Sequence, residues 1–316
     1  MMIKDSYGRK IEYLRLSVTD LCNYRCIYCM PEEGVCKKGH GDILSIEEMT
    51  DIVRAAHVLG IKKVRLTGGE PLVRKGIITL CENIKAIDPE IELGITTNGS
   101  LLAPMARNLK DAGVDRLNIS LDSLDPETFR KITRGGELTD VLNGIRAARD
   151  AGFDNIKINT VLLKGINEKD ILDLIRLTKD EAIHVRFIEL MPLGVAKNWN
   201  SDRFITVSAI EKHIKNAEII RLDGVARVYR LPGHKGTIGL ICPMSNSFCP
   251  SCNKIRVTSD GKLKPCLHSD QEIDLRGLSG SKLEQAIRNG IMQKPESHRF
   301  GAAGSATERF MNEIGG

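Results

Sequence analysis

No uncharged apolar run in the chain approaches the roughly 18 residues that a membrane-spanning helix needs, which excludes a protein built of such helices. The amino terminus, MMIKDSYGRK, lacks the apolar core of a secretory signal. Low-complexity segments are absent, and so is any block of like charge long enough to form a tail. Aromatic residues make up only 4%, but 41% hydrophobic and 28% charged residues are ordinary globular proportions. They exclude disorder, collagen and coiled coil. Charge of one sign is also scarce: 46 Lys and Arg against 41 Asp and Glu leave +5, well mixed along the sequence. That excess suits an anionic small molecule as well as a nucleic acid and selects neither. The 316 residues predict two domains, or one large barrel with an extension, in a cytoplasmic protein.

The abundant feature is cysteine, with nine residues. In a reducing compartment, thiols in tight clusters read as metal ligands or catalysts before they read as disulfides.

Residues 12–190 repeat one theme: a short β-rich run, a loop, then an amphipathic helical stretch. Strands are predicted at 13–18, 63–67, 91–97, 116–121, 155–161 and 184–189. The helix predicted over 46–59 opens with a capping box of Ser45 and Glu48 and stops at Gly60. Six such units at roughly 30-residue spacing imply parallel strands joined by right-handed crossovers. In the fourth strand Leu117, Ile119 and Leu121 alternate with Asn118, Ser120 and Asp122. Polar side chains on one face fit a wet lumen better than a sheet buried on both sides. The expected fold is α/β: an incomplete (βα)6 TIM-type barrel over residues 1–225, then a small iron–sulfur domain over residues 226–316. A helix is also expected near 207–215.

Cys22, Cys26 and Cys29 stand at C-x3-C-x2-C spacing directly after the first strand. A loop this short can turn three thiolates onto one face of a [4Fe–4S] cube, leaving one iron open. The alternative is a zinc knuckle that takes Cys36 or His40 as its fourth ligand. A second triplet, Cys249, Cys252 and Cys266, has C-x2-C-x13-C spacing. On spacing alone it also suits a zinc ribbon completed by Cys242 or His268. Cys81, in a helix expected over 76–87, reads as core, and Cys36 and Cys242 have no evident partner.

The first triplet, with the aromatic Tyr28 before its last cysteine, resembles the signature of the radical S-adenosylmethionine enzymes. The run Val64-Arg65-Leu66-Thr67-Gly68-Gly69-Glu70-Pro71 resembles that superfamily's second motif. Adding Cys249-Pro250-Ser251-Cys252-Asn253-Lys254-Ile255-Arg256 and the later Cys266, the chain resembles the molybdenum-cofactor biosynthesis protein A family, the GTP 3′,8-cyclases, over nearly its whole length. The resemblance implies two [4Fe–4S] clusters, S-adenosylmethionine and GTP. It places S-adenosylmethionine near Tyr28, Gly69, Ser120 and Met191. It places GTP near Arg15, Arg65, Thr96, Lys157, Lys254 and Arg256, with Arg186, Gly315 and Gly316 supporting the reaction. It further implies a companion cyclic pyranopterin monophosphate synthase and an external electron donor. It implies neither nucleic acid nor membrane, and leaves a homodimer open. One departure stands out: Lys254 replaces a family arginine, keeping the charge but losing the two-pronged planar donor. A peptide-modifying member with an auxiliary cluster, and a zinc-binding nucleic-acid module, are the competing readings.

Overall fold

The computed structural model describes residues 3–36, 38–199, 201–223, 225–298 and 304–315. Gly316 lies outside the described residues. The six strands form where the alternation predicts them: β1 (Tyr13–Ser17), β2 (Lys63–Thr67), β3 (Glu92–Thr97), β4 (Arg116–Ser120), β5 (Ile156–Leu162) and β6 (His184–Glu189). Each pairs in parallel with the next, and the sheet does not close on itself. This is the incomplete barrel that the sequence implies.

The crossovers carry α1 (Ile46–Val58), α2 (Ile77–Ile87), α3 (Ala106–Asp111), α4 (Pro126–Thr133), α5 (Leu138–Asp150) and α6 (Ile171–Asp180). Helix α1 starts as expected: Ser45 Oγ accepts from the Glu48 amide, and the Glu48 carboxylate accepts from the Ser45 amide. The helix-facing side chains of the strands, among them Leu14, Leu16, Leu66, Ile95, Leu117, Ile158 and Val185, are almost fully buried and form the core with the helices. Cys81 belongs to that core, as expected. Along each strand the alternate residues turn to the other face, where polar and cationic side chains collect.

Helix α7 (Ser208–Glu211) is shorter than expected, and the hairpin β7 (Glu218–Asp223) to β8 (Ala226–Arg230) follows it. Next come β9 (Thr237–Ile241), β10 (Lys254–Val257), β11 (Lys262–Lys264), β12 (Ile273–Asp274), α8 (Gly280–Met292) and α9 (Met311–Ile314). All twelve strands share one sheet, in the order β12-β11-β10-β1-β2-β3-β4-β5-β6-β9-β8-β7. Strand β10 runs parallel beside β1, and β9 runs parallel beside β6. The division expected near residue 225 therefore falls inside a hairpin, and the strands beyond it extend both edges of the same sheet. Pairing between distant segments leaves no mark in local composition, which is why the sequence suggested a separate domain there. Among the described residues no helix is long and apolar enough to cross a membrane.

Candidate active site

The first triplet occupies the loop after β1, against the turn after β2. The Gly69 amide donates to Thr19 O at 2.8 Å and the Glu70 amide to Leu21 O at 2.8 Å. A Cβ on Gly68 would come within 2.4 Å of Thr19 O, and one on Gly69 within 2.3 Å of Leu21 O. Only glycine permits this approach of two backbones immediately before Cys22. The cysteine loop is tied on its other side to the end of α4: Arg25 and Ile27 donate their amides to Thr133 O and Ile132 O. Arg134 adopts a left-handed conformation with φ 54°. Its guanidinium donates to Arg25 O and Met30 O.

Burial pushes all three thiols up, Cys22 to about 11 and Cys29 to about 12, and neighbouring sulfurs raise Cys26 and Cys29 further. Cationic iron would therefore have to displace their protons. No three His, Cys, Asp or Glu side chains among the described residues converge on a single-ion site. A four-iron cube instead takes its thiolates at separate corners, and three half-buried cysteines in one loop fit that donor set. Tyr28 donates its hydroxyl to Asp122 Oδ2 at 2.7 Å, and the Val161 amide holds Asp122 Oδ1 at 2.8 Å. Burial raises Asp122 to about 6, against both hydrogen bonds.

The polar face of the sheet gathers the predicted substrate residues. Arg15 pairs in register with Arg65 on one side and Arg256 on the other. Asn118 pairs with Lys157, and Asn159 with Arg186. Arg65, 7% exposed, donates to the Tyr13 hydroxyl at 2.9 Å and to Asn118 Oδ1 at 2.9 Å. Two glycines make room for these long side chains: a Cβ on Gly94 would lie 2.7 Å from Arg65 Cζ, and one on Gly239 3.0 Å from Arg186 Cγ. Two buried carboxylates near this face accept backbone and hydroxyl donors. Glu70 accepts from Leu72 N, Thr97 Oγ1 and Asn98 N. Glu189 accepts from Val207 N, Met244 N and Ser245. Thr96 Oγ1 and Asn159 Oδ1 are buried without a hydrogen-bond partner, so two lumen-facing oxygens can still receive a donor from a ligand.

The second triplet lies at the β10 end of this lumen. Cys249 is buried in the turn Cys249–Ser251, and its Sγ accepts from the His298 amide at 3.4 Å. Burial opposes ionisation of Cys252, but Lys294 and Lys254 outweigh it and hold the thiol below its ordinary value. Lys254 lies over the Tyr13 ring at 5.6 Å. Of the fourth zinc ligands considered from spacing, Cys242 is met by Arg227 Nη2 at 3.6 Å, and His268 contacts Ser305 Oγ at 3.1 Å.

The carboxy-terminal helix joins the two halves. Asn312 donates to Asp20 O at 2.9 Å, beside the first triplet. Gly315 offers its carbonyl to Arg256 Nη1 at 2.7 Å and to Arg15 Nη2 at 3.4 Å. Gly315 has φ 79°, and a Cβ there would meet Thr67 Oγ1 at 2.3 Å. The structure thus brings Arg15, Arg65, Arg256 and Gly315 together. Thr96, Ser120, Lys157 and Arg186 follow on the lumen face of neighbouring strands, and Met191 lies two residues after β6. Sequence reasoning missed Tyr13, which shares the lumen face of β1 with Arg15. Burial raises its phenol, yet Arg65 and Arg15 pull it down to about 8. Its signal was the same alternation that marked Arg15. Asn118, placed on the polar face but given no role, orients Arg65.

Residues 16–178 match the model of the Radical SAM superfamily, and residues 183–300 match Molybdenum Cofactor Synthesis C. The first match ends within α6 and the second begins just before β6. The GTP 3′,8-cyclase of Alkaliphilus metalliredigens is 51% identical over 99% of this chain and 100% of its own length. That of Peptoclostridium acidaminophilum is 47% identical over 100% of this chain and 98% of its own. Among solved structures, Streptococcus suis SuiB bound to S-adenosylmethionine superposes with a TM-score of 0.63 at 14% identity, over 93% of this chain and 72% of that one. The structure of anSMEcpe with bound AdoMet gives 0.59 at 15% identity, over 90% and 81%. At those identities the structural likeness bears on the fold alone.

Proposed function

The chain belongs to the GTP 3′,8-cyclase family of the radical S-adenosylmethionine superfamily, and on that premise we propose how its residues divide the work. The reaction converts GTP to (8S)-3′,8-cyclo-7,8-dihydroguanosine 5′-triphosphate, the first step of molybdenum cofactor biosynthesis. When bound, a [4Fe–4S] cluster on Cys22, Cys26 and Cys29 together with S-adenosylmethionine supplies the radical that takes hydrogen from the ribose. The close-packed turn at Gly69 receives the methionine amino group. Tyr28, locked by Asp122, borders the same cofactor with Ser120 and Met191. Arg15, Arg65, Lys157 and Arg256 neutralise the triphosphate. Arg65 is oriented in advance by Tyr13 and Asn118, so little ordering remains to be done on binding. Thr96 offers its unpartnered hydroxyl to the substrate. Lys254, as a point charge, contacts phosphate rather than the base edge. Arg186 and Gly315 close the floor of the lumen, and Gly316 supports the reaction. Cys249, Cys252 and Cys266 would hold a second [4Fe–4S] cluster that binds the guanine. The product passes to the cyclic pyranopterin monophosphate synthase, and an external donor supplies the electron.

One observation carries this reading: three arginines from adjacent strands meet on one polar face beside Gly315. A peptide substrate requires no such cationic floor. The test is anaerobic incubation with S-adenosylmethionine, a strong reductant and GTP, following 5′-deoxyadenosine. We expect GTP to stimulate its release; stimulation by a peptide and not by GTP would replace this reading with a peptide-modifying one. Cys252→Ala should spare S-adenosylmethionine binding and abolish GTP turnover, and persisting turnover would remove the second triplet's assigned role.

A further inference from the structure

Two buried cations outside the lumen converge on the second triplet. Lys294, 3% exposed, follows α8. Its ammonium donates to Lys254 O at 2.9 Å and to Pro265 O at 2.8 Å. Lys254 stands two residues after Cys252, and Pro265 immediately precedes Cys266. One side chain therefore fastens the segments that carry two of the three thiols. Arg9 does the same for the third. Its Nη1 donates to Cys249 O at 2.9 Å and to Glu296 O at 2.8 Å, and its Nη2 to Pro295 O at 2.6 Å. Asp5, itself buried, holds Arg9 Nε at 2.6 Å. The loop at 294–296 is thus a common anchor for Cys249, Cys252 and Cys266.

The carbonyls to which Lys294 donates are neutral. Burying an ammonium against neutral groups alone is costly, and such a cation is retained where a negative charge lies close. The two carbonyls that Lys294 holds lie two residues after Cys252 and immediately before Cys266.

We propose that Lys294 and Arg9 are positioning residues of the second triplet: Lys294 fixes the separation of Cys252 and Cys266 and sets a positive charge beside them, and Arg9 fixes Cys249 to the same loop. The inference rests on the reading that this triplet holds a [4Fe–4S] cluster. A cation beside a cluster favours its reduced, more negative form, so removing the charge lowers the reduction potential.

The test uses full-length protein reconstituted anaerobically with iron and sulfide. It is read by iron and sulfide analysis, by redox titration followed by electron paramagnetic resonance, and by GTP-independent cleavage of S-adenosylmethionine. Wild type should hold about eight irons, four per cluster. Lys294→Met and Arg9→Met should each hold about half of that while still cleaving S-adenosylmethionine. Lys294→Gln keeps a donor and loses the charge, so it should retain iron and shift only the second cluster to lower potential. Should Lys294→Met fail to fold, the potential of Lys294→Gln decides. Variants with full iron and the wild-type potential overturn the brace and leave the two-cluster reading standing. Wild type with only about four irons overturns both.

Discussion

A methyl group at position 94 would sit 2.7 Å from Arg65 Cζ, on a strand whose backbone is otherwise ordinary. We expect Gly94→Ala to push Arg65 off Asn118 and to cost roughly 1–3 kcal/mol as overpacking. Denaturant melting should show the loss together with weaker GTP binding; unchanged affinity would mean that Arg65 does not need its present orientation. Glu70 gives a pH-dependent prediction. Its carboxylate accepts three hydrogen bonds, which favour the charged form, but complete burial outweighs them and raises it to about 7. With the folded value above the ordinary 4.5, this group's stabilising effect is complete below about pH 4.5 and is lost as pH rises through about 7. Glu70→Gln apoprotein should lose that decline between the two values, seen in melting temperature across the range. The lumen residue Thr96 was marked by the family resemblance alone, whereas Arg15 and Arg65 were legible in the sequence because strand position and the resemblance both mark them. The reciprocal glycines were not, since nothing in the sequence says which arginine leans across which neighbouring strand.

Helix α9 has four residues, yet it connects the two triplets through Asn312 and Gly315. Such a short helix has little stability of its own. Arg309, just before it, is held by Asp260 and Glu272 at 2.6–3.2 Å. That clamp belongs to the β10–β12 segment, so the tail is positioned by the sheet edge that also follows Cys252. Gly315→Ala combines a Cβ 2.3 Å from Thr67 Oγ1 with a left-handed backbone. We expect GTP turnover to fall on the order of 100-fold through misplacement, with global melting little changed. Retained turnover would reduce the tail to packing. The six barrel strands were legible within a residue or two, because each alternates and is bounded by turn residues. The places of β9 and β10 in the sheet were not, because they depend on pairing with β6 and β1, far away in the chain.

At the scale of the whole molecule, both edges of the six-strand sheet are covered by strands from beyond residue 230. A fragment ending near residue 190 would expose two parallel edges with apolar faces, and such edges template aggregation. Expressed alone, it should sediment as aggregate; a monodisperse monomer with native circular dichroism would contradict this view of the sheet. The pairing of β1 with β10 has a further consequence for how the protein is made. β1 is translated some 240 residues before β10, one of its two neighbours. Contacts of such separation are slow to form, and a strand waiting for its partner is exposed in the meantime. Yield of the active enzyme should therefore respond to growth temperature and chaperone supply even when iron and sulfide are plentiful.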